Sequence, residues 1–161
     1  MYKMHGFTLG STSIVIQSHI IGMFLPSLIT GTLIKKYGHS KIIYSGALIY
    51  LICIFLSFYD QTFINYLIAL VLLGIGWNFL FIGGTSLLVL CYKESEKFKV
   101  QGFNDVLVFS IQSIASLTAG YSILKFSWNE INLACIPLVL IIILVSIKAD
   151  LYKNRLVASK S

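Results

Sequence analysis

Residues 63–92 read FINYLIALVLLGIGWNFLFIGGTSLLVLCY and contain no charged side chain. About 20 apolar residues are enough for a helix to cross the hydrocarbon core of a bilayer. Because no charge or turn cluster divides this stretch, we expect one tilted helix with an extension rather than two short spans. Further apolar stretches lie on both sides of it. The predicted spans are 12–34, 42–59, 63–92, 102–124 and 129–147. The sequence therefore predicts an all-α fold, a polytopic bundle of five transmembrane helices.

The composition is typical of a membrane protein. Apolar residues make up 57% of the chain and charged residues 11%, against about 45–50% and about 25% in soluble domains. The net charge is +6, which in a soluble domain would suggest nucleic acid. Here the basic residues lie between apolar spans, so we interpret them as orienting the chain in the bilayer and expect no nucleic-acid partner.

The basic residues also predict the orientation. They cluster in the first loop, the third loop and the tail: Lys35, Lys36, Lys41; Lys93, Lys97, Lys99; Lys148, Lys153, Arg155, Lys160. The positive-inside rule places these three segments in the cytoplasm. A short N-terminal segment, 1–11, is then outside and the tail, 149–161, is inside. Because nothing obvious would translocate a segment carrying Lys3, this topology calls for a further helix upstream.

The loop between the first two spans contains a motif. Residues 31–41, GTLIKKYGHSK, resemble the signature G-x-L-x-D-R-x-G-R-K that joins paired helices in the major facilitator superfamily. Gly31, Leu33, Lys36, Gly38 and Lys41 match the signature, whereas Lys35 stands at its Asp position and His39 at a basic position. Gly31 would allow close helix approach, and Gly38 a left-handed turn. The alternative is that any short cytoplasmic loop is basic and contains glycine.

A second resemblance covers more of the chain. LLGIGWNFLFIGGTSLL at 72–88 and VQGFNDVLVF at 100–109 are similar to the tenth and eleventh helices of bacterial members of that superfamily. The resemblance implies that the five spans are equivalent to helices eight to twelve. The chain would then be the C-terminal half of a secondary transporter, lacking its first helix and the whole N-terminal half.

Polar residues within the spans fit this assignment. The second and fifth spans are nearly free of them, as the resemblance implies for the outermost helices. The first, third and fourth spans carry Gln17, His19, Asn78, Asp105 and Gln112. Intramembrane polar groups normally face protein or water because they are costly in lipid.

The candidates for lining a substrate cavity are His19, Trp77, Asn78 and Gln112. Trp77 and Asn78 lie near mid-span, where transporter sites usually are; the alternative is helix packing through Asn78 and its neighbouring glycines. His19 shares a face with Pro26, which predicts a helix kink, and a histidine there could couple transport to protons. A buried structural histidine is the alternative.

Asp105 is a candidate contact of a cytoplasmic gate, together with the motif residues Gly31, Lys35, Lys36, Gly38 and Lys41. The predicted span begins at 102, so Asp105 would lie in the first helical turn, where the helix dipole favours an acid and Asn104 could cap. This structural role is the alternative to a gate.

Other functions have less support. No HExxH, GxSxG or carboxylate pair is present, and Cys53, Cys91 and Cys135 have no metal-ligand spacing, so we expect no catalytic role, metal or cofactor. The predicted function is transport of an unknown small solute, possible only with the missing half, in a bacterial inner membrane. The expected partners are the bilayer, that half, the solute and potentially a proton. A small membrane scaffold or a non-functional remnant is the alternative.

Overall fold

The computed structural model describes residues 6–59 and 62–158, with only the backbone described at 123, 128, 150 and 152–158. Residues 1–5, 60–61 and 159–161 of the predicted outer segment, second loop and tail lie outside this description. All regular elements of the described residues are helical. The helices are α1 (Leu9–Phe24), α2 (Ser27–Tyr37), α3 (His39–Tyr59), α4 (Phe63–Leu88), α5 (Lys97–Lys125) and α6 (Trp128–Ala158).

The helices are those of a multi-pass membrane protein, which confirms the predicted fold class. Four helical segments within the described residues are long and apolar enough to cross a bilayer: Leu9–Tyr37, His39–Tyr59, Phe63–Cys91 and Asn129–Ala149. The first of these combines α1 and α2. Helix α5 is also long, with 29 residues, but it is more polar, so its membrane crossing stays a prediction.

The first span is broken at Pro26, as predicted. Helix α1 ends at Phe24 and α2 begins at Ser27. Proline has no backbone N–H and cannot continue the hydrogen-bond ladder of a helix. The ladder resumes when the Thr30 N–H donates to the Pro26 carbonyl oxygen at 2.9 Å. The two half-helices therefore meet at a break where carbonyl groups lack their usual partners.

The turn between α2 and α3 depends on Gly38. Its φ is 90°, in the positive range that side chains disfavour. Its N–H donates to the Ile34 carbonyl oxygen at 2.8 Å and so closes the last turn of α2. The conformational role predicted for this glycine is confirmed.

Helix α4 lies at the centre and packs against both α1 and α3 through glycines. A Cβ atom placed on Gly74 would lie 2.5 Å from the His19 carbonyl oxygen, and one on Gly22 would lie 2.8 Å from the Val71 carbonyl oxygen. On the α3 side, a Cβ on Gly46 would lie 2.9 Å from the Gly76 carbonyl oxygen. Close backbone approach at small residues is a usual mode of helix packing in membranes.

Helix α6 packs on the other side of α3, where Ala47, Ile54 and Val139 form a small buried core. Helix α5 is different. None of its residues with a described side chain is buried, and it makes only sparse contact with α6. The described chain is thus a packed group of α1–α4 and α6, with α5 standing apart.

The expectation that Asp105 lies in a first helical turn capped by Asn104 is wrong. Helix α5 begins at Lys97, so both residues lie about two turns inside it. The helix starts early because a preceding turn, Glu94–Glu96, leads into it, and the Glu96 carboxylate accepts the Lys93 N–H at 3.2 Å. The Asn104 side-chain amide instead donates to the Asp105 carboxylate at 3.2 Å.

Candidate functional site

A buried polar junction lies where α4 crosses the Pro26 break. Asn78 of α4 is 1% exposed and Thr30 of α2 is 0% exposed. The Asn78 Nδ2 donates to the carbonyl oxygen of Met23, in the last turn of α1, at 2.7 Å. The Thr30 hydroxyl donates to Asn78 Oδ1, also at 2.7 Å. One side chain of α4 therefore holds both half-helices of the broken span.

The orientation of this amide follows from its partners. A carbonyl oxygen can only accept, so the Asn78 NH₂ group must face Met23 and its oxygen must face Thr30. The Thr30 hydroxyl, with one proton, is also 2.8 Å from the Pro26 carbonyl oxygen. Thr30 therefore shares its proton between its own helix and Asn78, and the buried polar atoms of the junction are satisfied.

His19 lies at the same α1–α4 contact, about one turn before the junction. Its ring is half-buried, and Nδ1 is 2.8 Å from the Leu70 carbonyl oxygen of α4. Because that oxygen can only accept, this bond requires a proton on Nδ1. The close approach at Gly74 brings the two backbones near enough for this contact. His19 thus faces protein within the span.

Trp77 and Gln112 lie away from this group. Trp77 is half-buried and stacks on Phe81 of its own helix, with ring centroids 4.7 Å apart. Gln112 is exposed on α5. Of the four cavity candidates, the structure brings His19 and Asn78 to one helix contact and leaves Trp77 and Gln112 on other faces. Their role in binding a substrate stays a prediction.

The motif residues form a basic rim around the α2–α3 turn. Lys35, Lys36 and Lys41 are exposed, and the Lys36 ammonium lies 5.1 Å from the centroid of the Tyr37 ring. Asp105 is exposed on α5. A Cβ on Gly31 would meet no described atom within 4 Å, so the described helices make no close approach there and the predicted role of this glycine stays a prediction.

Thr30 is the residue of the junction that sequence reasoning missed. It lies four residues after Pro26, so its hydroxyl lies over the break on the same helix face. A threonine four residues after a proline, together with an amide in a neighbouring span, could have indicated this junction from the sequence.

Three curated proteins are similar in sequence to this chain. Riboflavin transporter RfnT of Brucella anthropi is 34% identical over 139 residues, which are 86% of this chain and 35% of that protein. Two Bacillus subtilis proteins named as uncharacterized MFS-type transporters, YdeG and YddS, are 35% identical over 133 residues and 34% identical over 145 residues. These matches cover 81% and 84% of this chain, and 31% and 33% of those proteins.

The chain spans about a third of the length of these relatives. No solved structure gives a significant match. The profile of the Major Facilitator Superfamily matches residues 1–157, nearly the whole chain. This match confirms the resemblance carried by residues 31–41 and 72–88, and the chain belongs to the Major Facilitator Superfamily.

Proposed function

We propose that this chain is the C-terminal part of a secondary transporter for a small solute and is inactive alone. The observation that carries the proposal is the family match over residues 1–157 in a chain that covers about a third of its relatives. Alternating access requires two bundles that rock about a site between them. The described helices provide at most one such bundle. A further polypeptide segment has to complete the pathway.

Helix α5 supports the need for a partner. Asp105 and Gln112 are exposed on it, and from Phe109 to Tyr121 every residue is exposed. Amide and carboxylate groups at membrane depth need protein or water around them. We assign α5 to the interface with the rest of the transporter, where Gln112 reaches the solute pathway.

The candidates for the solute pathway are His19 and Asn78 at the α1–α4 contact, together with Trp77 and Gln112, which lie on other faces of the described helices. A histidine in contact with a neighbouring helix inside a span is a suitable relay for a coupling proton. The relative from Brucella anthropi is named as a riboflavin transporter, so riboflavin is the first solute to test. The proposed location is a bacterial inner membrane, with the N-terminus outside and the cytoplasmic side marked by the lysines of the α2–α3 turn.

The test is uptake of riboflavin by cells that lack their own importer. The chain is expressed alone, and also joined to the part of the Brucella anthropi transporter outside the 139 matched residues. We expect no uptake by the chain alone and saturable uptake by the joined protein. Uptake by the chain alone would refute its dependence on a partner. A joined protein that inserts normally but moves neither riboflavin nor related flavins would contradict the transport assignment.

Two variants of the joined protein test the residue assignments. Gln112→Ala should reduce uptake at least about fivefold if the amide contacts the solute, because an unpaired polar contact costs about one kcal/mol or more. Gln17→Ala, which removes an exposed amide on α1, is the matched control and should leave uptake unchanged. His19→Ala should flatten the dependence of uptake on pH; an unchanged dependence removes His19 from proton coupling.

A further inference from the structure

Helix α2 is joined to its neighbours at both ends by residues that interrupt the helical hydrogen-bond ladder. Pro26 has no N–H to continue the ladder, and across it the Leu28 N–H donates to the Leu25 carbonyl oxygen at 3.3 Å, a long bond of the i→i+3 type. Gly38 has a φ of 90°, and a Cβ there would meet no described atom within 4 Å. Residues at helix ends that can change their backbone torsions act as hinges. Pro26 and Gly38 are therefore two joints, one at each end of an 11-residue helix.

The helices on either side of α2 are held against α4. In α1, Val15 is 0% exposed, and a Cβ on Gly22 would lie 2.8 Å from the Val71 carbonyl oxygen. At the start of α3, Cγ1 of Ile43 would lie 2.8 Å from a Cβ on Gly83 of α4. These close contacts fix the two joints in place. Because α2 cannot leave α4 as a rigid rod while both its ends are held, rotation about its own axis is the motion left to it.

Few side chains of α2 resist such a rotation. Two of its eleven residues, Thr30 and Ile34, are buried, and they lie one turn apart on the same face. Leu28 and Ile29 are 78% and 58% exposed. The helix is thus attached to the bundle along a single narrow line, which a rotation has to release.

The residues that flank this line give the direction of rotation. Successive residues of a helix point about 100° apart. Gly31 and Lys35 lie on one side of the buried pair, and Ile29 and Leu33 lie on the other. An ammonium group pressed against an apolar span is costly, which disfavours the side with Lys35. A rotation of about 100° that brings Ile29 and Leu33 onto the bundle instead replaces the buried pair by two apolar side chains.

The hydrogen bond between Thr30 and Asn78 can open at little cost. The Thr30 hydroxyl is 2.7 Å from Asn78 Oδ1 and 2.8 Å from the Pro26 carbonyl oxygen. When α2 rotates, the hydroxyl keeps its partner Pro26 in the same helical turn, and Asn78 Nδ2 keeps its bond to Met23. Opening leaves one buried acceptor, Asn78 Oδ1, without its donor and breaks no hydrogen bond between α1 and α4. We propose that α2 rotates about its axis between the two joints, and that the Thr30–Asn78 hydrogen bond is the latch of the resting position.

The rotation changes the position of the charges in the last turn of α2. Lys35 and Lys36 lie there and are exposed. A helix with its side chains is about 10–12 Å wide, so a rotation of about 100° moves the tip of a side chain by about 8 Å. The latch therefore sets where these two lysines lie on the basic rim. The proposal is independent of the solute that is carried.

The experiment measures this displacement by double electron–electron resonance on the full chain in lipid nanodiscs. One nitroxide is attached to Cys91, which is exposed after the end of α4, in a chain with Cys53→Ser and Cys135→Ser. The second is attached at Lys35→Cys of α2 or, as a reference, at Ile20→Cys of α1, where the native residue is 46% exposed. We expect two distances for the label on α2, up to about 8 Å apart, and one distance for the label on α1. A single, identical distance for α2 with the latch present and removed would overturn the proposal.

Three variants test the latch and the joint. Thr30→Val removes the hydroxyl and should raise the ratio of rotated to latched molecules about threefold or more, the factor for an average hydrogen bond between transmembrane helices. Thr32→Val is the matched control, because Thr32 is exposed on the same helix, and should leave the ratio unchanged. Pro26→Ala restores an N–H to the ladder and should leave one distance only.

The outcomes separate the two parts of the proposal. Equal ratios in Thr30→Val and Thr32→Val would refute the latch. Two distances in Pro26→Ala, in the same ratio as in the unaltered chain, would refute the joint. If Thr30→Val does not fold, the comparison of Pro26→Ala with the unaltered chain still decides whether α2 rotates.

Discussion

Replacing Asn78 by leucine should destabilise the folded chain by about 1–3 kcal/mol. The substitution removes two contacts between helices, one to the Met23 carbonyl oxygen and one to the Thr30 hydroxyl. Hydrogen bonds between transmembrane helices contribute about 0.6 kcal/mol on average and up to about 1.7 kcal/mol. Two of them give about 1.2 kcal/mol, with an upper value near 3 kcal/mol. Leucine has the same number of side-chain heavy atoms and the same branch point as asparagine, so the packing change is smaller than for a change of shape.

The two partners are affected differently by this substitution. The Thr30 hydroxyl keeps its bond to the Pro26 carbonyl oxygen and loses only the shared interaction. The Met23 carbonyl group lies in the last turn of α1, where carbonyl groups lack a helical N–H partner, and it loses the Asn78 amide. A buried acceptor without a partner costs about 1–3 kcal/mol. Most of the destabilisation should therefore come from Met23, and Thr30→Val should cost less than Asn78→Leu.

The assay is unfolding of the purified chain from mixed micelles as the mole fraction of sodium dodecyl sulfate rises, followed by circular dichroism. Asn104→Leu is the matched control, because that amide contacts only Asp105 of its own helix; its effect should stay within about 0.5 kcal/mol. If Asn78→Leu is as mild as Asn104→Leu, the amide does not hold the two half-helices, and the reasoning from the Pro26 break fails.

Two further predictions concern packing and orientation. Gly74→Ala should cost about 1–3 kcal/mol in the same titration because its Cβ would meet the α1 backbone, whereas Gly84→Ala, where a Cβ meets no described atom within 4 Å, should cost nothing measurable; similar values for the two would contradict the α1–α4 contact. Cys91 is exposed in the connection between α4 and α5, so a membrane-impermeant maleimide should label it in inside-out vesicles and not in intact cells; labelling in intact cells would reverse the proposed orientation.

The elements that could be predicted from the sequence depend on local physics. The uncharged run at 63–92 indicates a spanning helix by its length alone. Pro26 indicates a break because its backbone nitrogen has no hydrogen to donate to the helix. The start of α5 was predicted too late because charged residues such as Lys97 and Lys99 are typical of loops. The turn at Glu94–Glu96 before them can nevertheless lead into a helix.

The contacts of the site were harder to predict because one partner is a backbone atom. Asn78 stands out in the sequence as an amide in an apolar span. Its acceptor is the backbone carbonyl group of Met23. Every residue has a carbonyl group, and this one is available because it lies in the last turn of α1.

The Pro26 break has a consequence for how this sequence can change over generations. A residue with a backbone N–H at 26 would let α1 continue into α2, and the Met23 carbonyl would then be satisfied by its own helix. The Asn78 NH₂ group could still share that oxygen as a second donor, as the Thr30 N–H and hydroxyl share the Pro26 carbonyl oxygen, but the Met23 carbonyl would no longer depend on it. Loss of the proline is therefore expected to relax the requirement for an amide at position 78, whereas loss of the asparagine is deleterious while the proline remains. The two positions are epistatic, and relatives that keep the proline should keep the asparagine.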